Sequence, residues 1–236
     1  MPDVFNITLE CHGALIEHLG GETVALQLEP PHTTAHLLDQ ARVHWPDAAG
    51  LLSRTACARG DALLTPDAPL THDDTIALIP PVSGGQSATD HDAHLTEAPL
   101  DLDALMAETE DEQSGALVVF GGTVRLNNEG REVESMDYST YGPLAARTLA
   151  DIEHETLAAF DIRACRLQHR TGRLGLGAVS VYVVVRAVHR RAAFEAAEHA
   201  LEQLKARVAV WKNEHYRDGS SAYLEGTEVA RPERPR

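Results

Sequence analysis

The stretch Ile79-Pro80-Pro81-Val82-Ser83-Gly84-Gly85 divides the sequence, because an apolar run ends here in two prolines and then two glycines. Prolines keep a chain extended and glycines add no side-chain bulk, so this stretch could thread a narrow channel in a partner. Glycine-rich junctions are also common linkers between domains, and the dipeptide alone favours a linker. The residues on either side have to decide between the two interpretations.

The charge of the chain is unevenly distributed around this stretch. The 236 residues are 43% hydrophobic and carry a net charge of −16, which suits one large or two modest domains and argues against a nucleic-acid-binding protein. Residues 1–85 hold eleven acidic and three basic side chains, residues 86–114 nine and none, and residues 115–236 sixteen and seventeen. The second half could therefore offer a site for an anion.

Other classes are disfavoured by what the sequence lacks. No run approaches the length of a membrane span and Met1–Glu10 has no signal-peptide pattern, so we expect a cytoplasmic protein without membrane contact. Cys11, Cys57 and Cys165 lie far apart, outside any C-x-x-C spacing, and the thirteen histidines form no ligand pattern. We predict no metal site.

The residues before the dividing stretch have the pattern of one small domain. Alternating apolar residues over 5–9 and 24–28 predict two strands joined as a hairpin, and the pattern over 33–45 predicts a threonine-capped helix that ends at Trp45-Pro46. Short strands are predicted over 55–58 and 75–79. This order is typical of a ubiquitin-like β-grasp domain whose last strand directs Pro80–Gly85 outward.

A second patterned region begins near Leu100. We predict, in order, a helix from Leu100, a short buried strand over 116–120, a strand over 133–138, a helix opened by Gly142-Pro143, strands over 162–167 and 178–188, and a helix after His189. The run 178–188 is apolar enough to be a central strand. Phe194, Ala197, Leu201, Leu204 and Val208 are spaced as the apolar stripe of the last helix.

Lys205 and Lys212 are the only lysines among twenty basic side chains. Burial can lower the pKa of an ammonium but not usefully that of a guanidinium, so lysine at these two positions points to proton transfer or nucleophilic chemistry. On a helix that starts at Phe194, Lys205 lies about 20° from Phe194, at the edge of the apolar stripe. The alternative is two lysines with buried stems and solvated ammoniums.

Arginines cluster at the ends of predicted strands. His189-Arg190-Arg191 joins a strand to a helix, where backbone N–H groups and cations can hold a phosphate, although such clusters are also common solvated helix starts. Arg125 closes Phe120-Gly121-Gly122-Thr123-Val124-Arg125, whose glycines would admit a ligand close to the backbone or mark a bulge. The turn His169-Arg170-Thr171-Gly172-Arg173-Leu174 is predicted to be structural.

Taken together, these motifs resemble the two subunits of molybdopterin synthase joined in one chain. The region from Asp3 to Gly85 resembles the small sulfur-carrier subunit (MoaD), with Ala77–Gly85 close to its C-terminal signature. The region from Pro99 to Glu225 resembles the large catalytic subunit (MoaE). That second match depends on Gly115–Arg125, on the 169–174 motif, on His189-Arg190 with Ala193-Phe194, and on Lys205 with Val210-Trp211-Lys212-Asn213-Glu214.

The resemblance implies an α+β fold: a β-grasp domain followed by an α/β domain of the large-subunit, hammerhead-like type. The implied domains are a carrier over 1–85, an acidic linker over 86–98, a catalytic domain over 99–226 and a disordered tail over 227–236.

It also implies an activity. Gly85 would be adenylated by an ATP-dependent activating enzyme and converted to a thiocarboxylate, which is the sulfur donor, with no permanently bound cofactor. The substrate would be cyclic pyranopterin monophosphate, and two successive sulfur transfers would make the dithiolene of molybdopterin. Self-association through the catalytic domain is expected.

Site residues follow by position. The catalytic groups would be Lys205, its partner Lys212, and Gly85. The substrate-binding residues would be Arg125, His189 and Arg190 for the phosphate and pterin, Thr123, Val124, Asn213 and Glu214 around the substrate, and Phe120 at the entry of the tail.

The chain departs from the family pattern in four places. Val208-Ala209 stands where a proline is usual before the Trp-Lys element, Ser139 replaces an acid, and Asp73-Asp74 replaces Gly-Asp. Gly85 is in amide linkage to Gln86, whereas only a free carboxylate can be adenylated, so we hypothesise cleavage after Gly85. Two alternatives stay open: a sulfur carrier or protein modifier that serves other acceptors, with the second domain as a docking scaffold, and an inactive fused storage form.

Overall fold

The computed structural model describes residues 4–81 and 94–224. The chain divides into two compact units; the described residues up to Pro81 belong to the first and those from His94 to the second. Gly84, Gly85, most of the predicted linker and the predicted tail lie outside the described residues. Among the helices in the described ranges, none has the length and apolar character needed to cross a bilayer.

Over residues 4–81, the first unit consists of a single sheet with one main helix. Its elements are β1 (Phe5–Cys11), α1 (Leu15–Leu19), β2 (Thr23–Leu28), α2 (Thr34–His44), a 3₁₀ turn (Pro46–Ala48), α3 (Ala49–Leu52), β3 (Ala56–Arg59), β4 (Ala62–Leu63) and β5 (Thr75–Ile79).

The strand order β2-β1-β5-β3-β4, with β1 parallel to β5 at its centre, is that of the predicted β-grasp domain. Alternate residues of the central strands, such as Leu9 and Leu78, meet Leu37 of α2 in the core. The helix begins where predicted, because the Thr33 hydroxyl accepts a hydrogen bond from the backbone N–H of His36 at 3.4 Å. The β1–β2 connection differs from a simple hairpin, since it contains the short helix α1.

Over residues 94–224, the second unit is built from two sheets and three helices. Its elements are β6 (Leu95–Thr96), α4 (Leu102–Glu108), β7 (Ala116–Thr123), β8 (Asn127–Asn128), β9 (Arg131–Thr140), α5 (Gly142–Ala159), β10 (Ala164–Arg170), β11 (Gly172–Gly175), β12 (Val179–Ala187), α6 (Arg190–Arg207), β13 (Val210–Tyr216) and β14 (Ser221–Tyr223).

The two sheets share one core. The first has the order β6-β10-β12-β7, and the second has the order β11-β9-β13-β14 with β8 paired to β9. Helix α6 packs on β7 and β12, and α5 packs on β10 and α6. The prediction that the run 178–188 is a central strand is confirmed, because β12 lies between β10 and β7.

Two predictions about which residues are buried were wrong. Strand β7 is longer than predicted and lies at the sheet edge, so Leu117, Val119 and Phe120 are 36–39% exposed. Phe194 is 62% exposed, because α6 approaches the sheet through small residues; its buried line is Ala193, Ala196, Ala197, Ala200 and Leu204. Val208 follows the helix as its C-cap.

A buried carboxylate ties the start of the second unit to its core. Glu153 of α5 is 6% exposed. Its oxygens accept hydrogen bonds from the Leu167 backbone N–H at 2.6 Å and from the Arg166 guanidinium at 3.0 Å, and its carboxylate lies 3.2 Å from the imidazole of His94. The next residues form β6 against β10, so two residues of the predicted linker belong to the sheet.

Candidate functional site

Lys212 lies on β13, with β9 and β14 on either side. Helix α6 ends at Arg207, so Lys212 projects from a strand and not from a continued helix. Side chains alternate along a strand, which places Lys212, Glu214 and Tyr216 on one face, with Lys212 directly opposite Tyr138 of β9. Tyr138 and Tyr216 are part of the core on that face, and Lys212 is half-buried beside them.

The environment of Lys212 lowers the pKa of its ammonium group. Burial lowers the pKa of its ammonium, and the positive charges of Lys205 and Arg125 lower it further, while Glu214 opposes them. A lysine with a lowered pKa gives up and takes back a proton more readily near neutral pH, which is the property required of a proton-transfer group.

Lys205 lies in the last turn of α6 and is exposed. The helical spacing predicts Lys205 beside a buried Phe194, and that prediction is wrong because Phe194 is itself on the exposed side. The ammonium nevertheless lies close enough to Lys212 for its charge to lower the pKa of that residue. The end of α6 and the start of β13 thus bring the two lysines together.

Glu214 is a buried anchor. It is 2% exposed, and its Oε2 accepts hydrogen bonds from the Asn128 amide and the Tyr216 hydroxyl, both at 2.9 Å. The Arg131 guanidinium lies over the Tyr216 ring, 3.4 Å from its centroid. Glu214 therefore holds other side chains in place and contributes negative charge beside Lys212.

Arg125 reaches the same cluster from the segment that follows β7. Its Nη2 donates to the Asn128 Oδ1 at 2.6 Å, while the side chain as a whole is exposed. Val124 N–H bonds to the Ala178 carbonyl and Leu126 C=O accepts from Val133, which fixes the backbone on either side of Arg125. Arg125, Lys205, Lys212 and Glu214 are thus four predicted site residues that the structure brings together.

Asn213 points to the opposite face of β13, with Trp211 and His215. His215 Nε2 lies 2.6 Å from Asp137 on this face. The Oδ1 atom of Asn213 is buried there without a hydrogen-bond partner in the described structure. The structure does not place Asn213 beside Lys212.

The predicted site residues at the end of β7 differ in their exposure to solvent. Thr123 is exposed, and Phe120 is 36% exposed on the edge strand, so both are accessible. Val124 is 3% exposed and packs in the core, where its side chain supports the Arg125 backbone without facing solvent.

The glycines of this strand serve packing. A Cβ on Gly122 would lie 2.8 Å from Val181 Cγ1, and one on Gly121 would lie 3.1 Å from the Tyr182 ring. The register shifts between Val179 and Val181 of β12, opposite Gly122. The extra residue, Ser180, therefore belongs to β12, and Gly121 and Gly122 are themselves regularly paired in β7.

His189 and Arg190 lie at the other end of α6 and are exposed. Fifteen residues separate Arg190 from Lys205, which is about 22 Å along a helix at about 1.5 Å per residue. Within one chain, these two residues are therefore not part of the lysine cluster.

His169 was overlooked by the sequence analysis, which treated its motif as a structural turn. It is 3% exposed, and burial lowers its pKa to about 4, with the charge of Lys212 acting in the same direction. Its Nδ1 lies 2.8 Å from the Arg170 carbonyl, which can only accept, so Nδ1 carries the proton and Nε2 the lone pair. A neutral imidazole therefore lies near Lys212, in contact with the Tyr138 ring.

Asn128 was overlooked as well; only the glycine of the Glu129-Gly130 turn that follows it is a residue that a type I′ turn prefers. Gly85, the predicted sulfur-bearing residue, lies outside the described residues.

Two protein families match this chain, one in each unit. The MoaE protein family matches residues 95–207, and the ThiS family matches residues 12–85. The molybdopterin synthase catalytic subunit of Nostoc sp. is 37% identical over 131 residues, which is 55% of this chain and 79% of the relative. That of Bacillus subtilis is 34% identical over 125 residues, or 53% of this chain and 80% of the relative.

A solved structure shows the same fold in the second unit. The X-ray structure of molybdopterin synthase from Staphylococcus aureus is 31% identical with a TM-score of 0.53, and the match covers 56% of this chain and 95% of that one. The chain therefore belongs to the family of molybdopterin synthase catalytic subunits, and it carries a ThiS-family domain ahead of the catalytic one.

Proposed function

We propose that this chain makes molybdopterin by transferring sulfur from a Gly85 thiocarboxylate to cyclic pyranopterin monophosphate. The observation that carries the proposal is the lysine pair. The only two lysines of the chain come from a helix end and a strand, yet Lys205 lies close enough for its charge to lower the pKa of Lys212. Both lie within a domain whose relatives are molybdopterin synthase catalytic subunits.

The proposed chemistry uses the two lysines differently. In each transfer the thiocarboxylate sulfur attacks a substrate carbon and replaces an oxygen there, and water then separates that sulfur from the carrier carbonyl, which leaves a carboxylate on Gly85. The exposed Lys205 ammonium stabilises the negative charge that develops. Lys212, whose pKa burial lowers, moves the proton that each step requires.

The substrate phosphate is assigned to the arginines. The planar fork of Arg125 suits a phosphate that has to stay fixed through two transfers. His189 and Arg190 lie about 22 Å along α6 from Lys205. If they bind the same small substrate, they have to come from a second copy of the chain, and this separation supports the proposed self-association.

The amide between Gly85 and Gln86 has to be cut for this function, because adenylation requires a free carboxylate. We therefore propose cleavage after Gly85. Intact-mass measurement of the protein from its native host should show a fragment that ends at Gly85. A chain that stays whole while cofactor synthesis proceeds would contradict this step.

The activity is tested with cleaved, thiocarboxylated protein and the cyclic pterin. Lys205→Ala and Lys212→Met should each lower the rate of molybdopterin formation at least about 100-fold, the usual contribution of a group that transfers protons or stabilises charge. Arg147→Ala, which removes an exposed cation on α5, is the matched control and should retain the wild-type rate. Full turnover by Lys205→Ala would show that the catalytic assignment is wrong.

A second candidate function is favoured by the ThiS-family match, which extends to Gly85. The first domain would then serve as a carrier or modifier for other acceptors. In that case wild-type protein with the activating enzyme would transfer sulfur to, or form isopeptide bonds with, other proteins, and would yield no molybdopterin with the cyclic pterin.

A further inference from the structure

Asn128 is a buried amide that uses both ends of its side chain. It is 8% exposed, its Oδ1 accepts from Arg125 at 2.6 Å, and its Nδ2 donates to Glu214 at 2.9 Å. A guanidinium can only donate and a carboxylate can only accept, so these partners determine which end of the amide is which. The two hydrogen bonds that link Arg125 through Asn128 to Glu214, which we call the relay, therefore have a fixed direction.

The Glu214 end of this relay is rigid. Glu214 is 2% exposed on the central strand β13, and the Tyr216 hydroxyl donates to the same Oε2 atom at 2.9 Å. A carboxylate held by two donors in the core offers a fixed acceptor. The buried Glu214 carboxylate thereby fixes the orientation of the Asn128 side chain, whose other end faces Arg125.

A tight turn fixes Asn128 from the backbone side. Asn128 pairs with Arg131 across the two-residue turn Glu129-Gly130, whose φ values are +48° and +80°. Two consecutive positive φ values define a type I′ hairpin turn, and a glutamate in this region is unfavourable. The chain adopts this conformation at the residue next to Asn128.

At its outer end the relay leaves the Arg125 charge intact. The contact is with a neutral amide oxygen, whereas a contact with a carboxylate would have neutralised the guanidinium in advance. One Nη2–H is directed inward, and the remaining N–H groups of the planar fork are left in a defined orientation. This arrangement suits a guanidinium that has to receive an anion.

We propose that Asn128 is a positioning residue. By linking the Arg125 guanidinium to the buried Glu214 carboxylate, Asn128 holds the guanidinium in the orientation that binds the substrate phosphate. The proposal builds on the proposed function only in naming the substrate that Arg125 binds. The hydrogen-bonded relay itself can be tested without any substrate.

The first test measures the guanidinium directly, by NMR of the full chain labelled with ¹⁵N-arginine. Slow rotation should give Arg125 separate Nη signals at low temperature in the wild type and in Asn127→Ala, which removes the exposed asparagine one residue earlier on the same strand. In Asn128→Ala the Nη signals should merge. Separate Nη signals that persist in Asn128→Ala, or that are missing in the wild type, would overturn the proposal.

A reversal of the relay separates positioning from a merely structural role. Asn128→Asp keeps an acceptor for Arg125 but sets two carboxylates against each other, so the Nη signals should merge. Adding Glu214→Gln restores a donor, since the new amide can donate to the new carboxylate, and the total charge equals that of the wild type. The double variant should recover separate Nη signals; failure to recover them in a chain that keeps wild-type secondary structure by circular dichroism would overturn the proposal.

The functional test is a split between KM and kcat in cleaved, thiocarboxylated protein. Asn128→Ala should raise the KM for cyclic pyranopterin monophosphate about tenfold, the loss expected for one charge-assisted hydrogen bond, and change kcat less than about threefold. An unchanged KM would refute the role in substrate binding. If the NMR results are as expected and even the wild type makes no molybdopterin, the proposed function fails and the relay stands.

Discussion

His169 is a buried titratable side chain near Lys212 that the proposed mechanism does not use. Burial lowers its pKa from 6.5 to about 4. Between these two values the unfolded chain binds a proton on this imidazole and the folded chain does not. The free energy of unfolding should therefore fall as the pH is lowered from about 6.5 to about 4, by as much as about 3 kcal/mol from this residue alone.

We expect His169→Asn to reduce this acid sensitivity. Asparagine can still donate to the Arg170 carbonyl but does not titrate, so the unfolding free energy of the variant should change less between pH 6.5 and pH 4.5. Denaturant unfolding at a series of pH values measures the difference. His154→Asn is the control, because His154 also contacts a backbone carbonyl through Nδ1, at 2.8 Å, but is exposed. Equal pH slopes for wild type and His169→Asn would contradict the prediction.

At the scale of single residues, the sequence identified part of the site. The lysines stood out because they are scarce, and Arg125 because it ends a glycine-rich motif. Asn128 and His169 could not be found in this way, since their roles depend on partners that the fold supplies. Asn128 meets Glu214 across 86 positions of sequence, and no local pattern records that contact.

At the scale of elements, the β8–β9 hairpin offers a clean measurement of backbone strain. Gly130 has a φ of +80°, and a Cβ added there would have no atom within 4 Å, so steric contact with neighbours is absent. Gly130→Ala should destabilise the second unit by about 1 kcal/mol through its conformation alone.

The matched control for this variant is Gly175→Ala. Gly175 also has open space around its Cβ position but lies outside the positive-φ region. Its replacement should leave the unfolding free energy within about 0.5 kcal/mol of the wild type. Equal effects of the two substitutions, measured by denaturant unfolding, would show that the turn stores no strain.

Elements with strong periodicity were predicted well, and their orientation less well. Strand β12 and helix α5 were found because long apolar runs and a Gly-Pro start are local signals. The buried face of α6 was assigned incorrectly, since the large residue Phe194 was expected inside. Close packing of a helix on a sheet instead favours small side chains. The position of the sheet decides which face of α6 is packed against it.

At the scale of the molecule, Glu153 connects the first residues of the second unit to its core. We expect Glu153→Gln to lower the unfolding free energy by about 2 kcal/mol, because the Arg166 guanidinium loses the charge of its most buried partner. Glu155→Gln on the same helix is the control: its carboxylate pairs with Arg207 and is 52% exposed, so the loss should stay below about 1 kcal/mol.

The two tryptophans make this measurement specific to one unit. Trp45 belongs to the first unit and Trp211 to the second. In a Trp45→Phe background, fluorescence during denaturant unfolding reports on the second unit through Trp211, which is 1% exposed. Equal destabilisation by Glu153→Gln and Glu155→Gln would contradict the role of the buried carboxylate.

The division of the chain into two units was also visible in the sequence, through the change of charge and the Pro-Pro-Val-Ser-Gly-Gly stretch. Strand β6 was not, because two residues carry too little pattern to separate a strand from a linker. Its pairing with β10 depends on contacts such as that between His94 and Glu153, which are distant in sequence.

The lowered pKa of Lys212 has a further consequence for covalent labelling. Acylating reagents react with the uncharged amine, and eighteen of the twenty cationic side chains are arginines that do not react with them. The lowered pKa of Lys212 raises the uncharged fraction of its amine. Among the side chains, ordinary amine reagents are therefore directed to the two lysines of the proposed active site, and mass spectrometry can identify the labelled residue without an engineered handle.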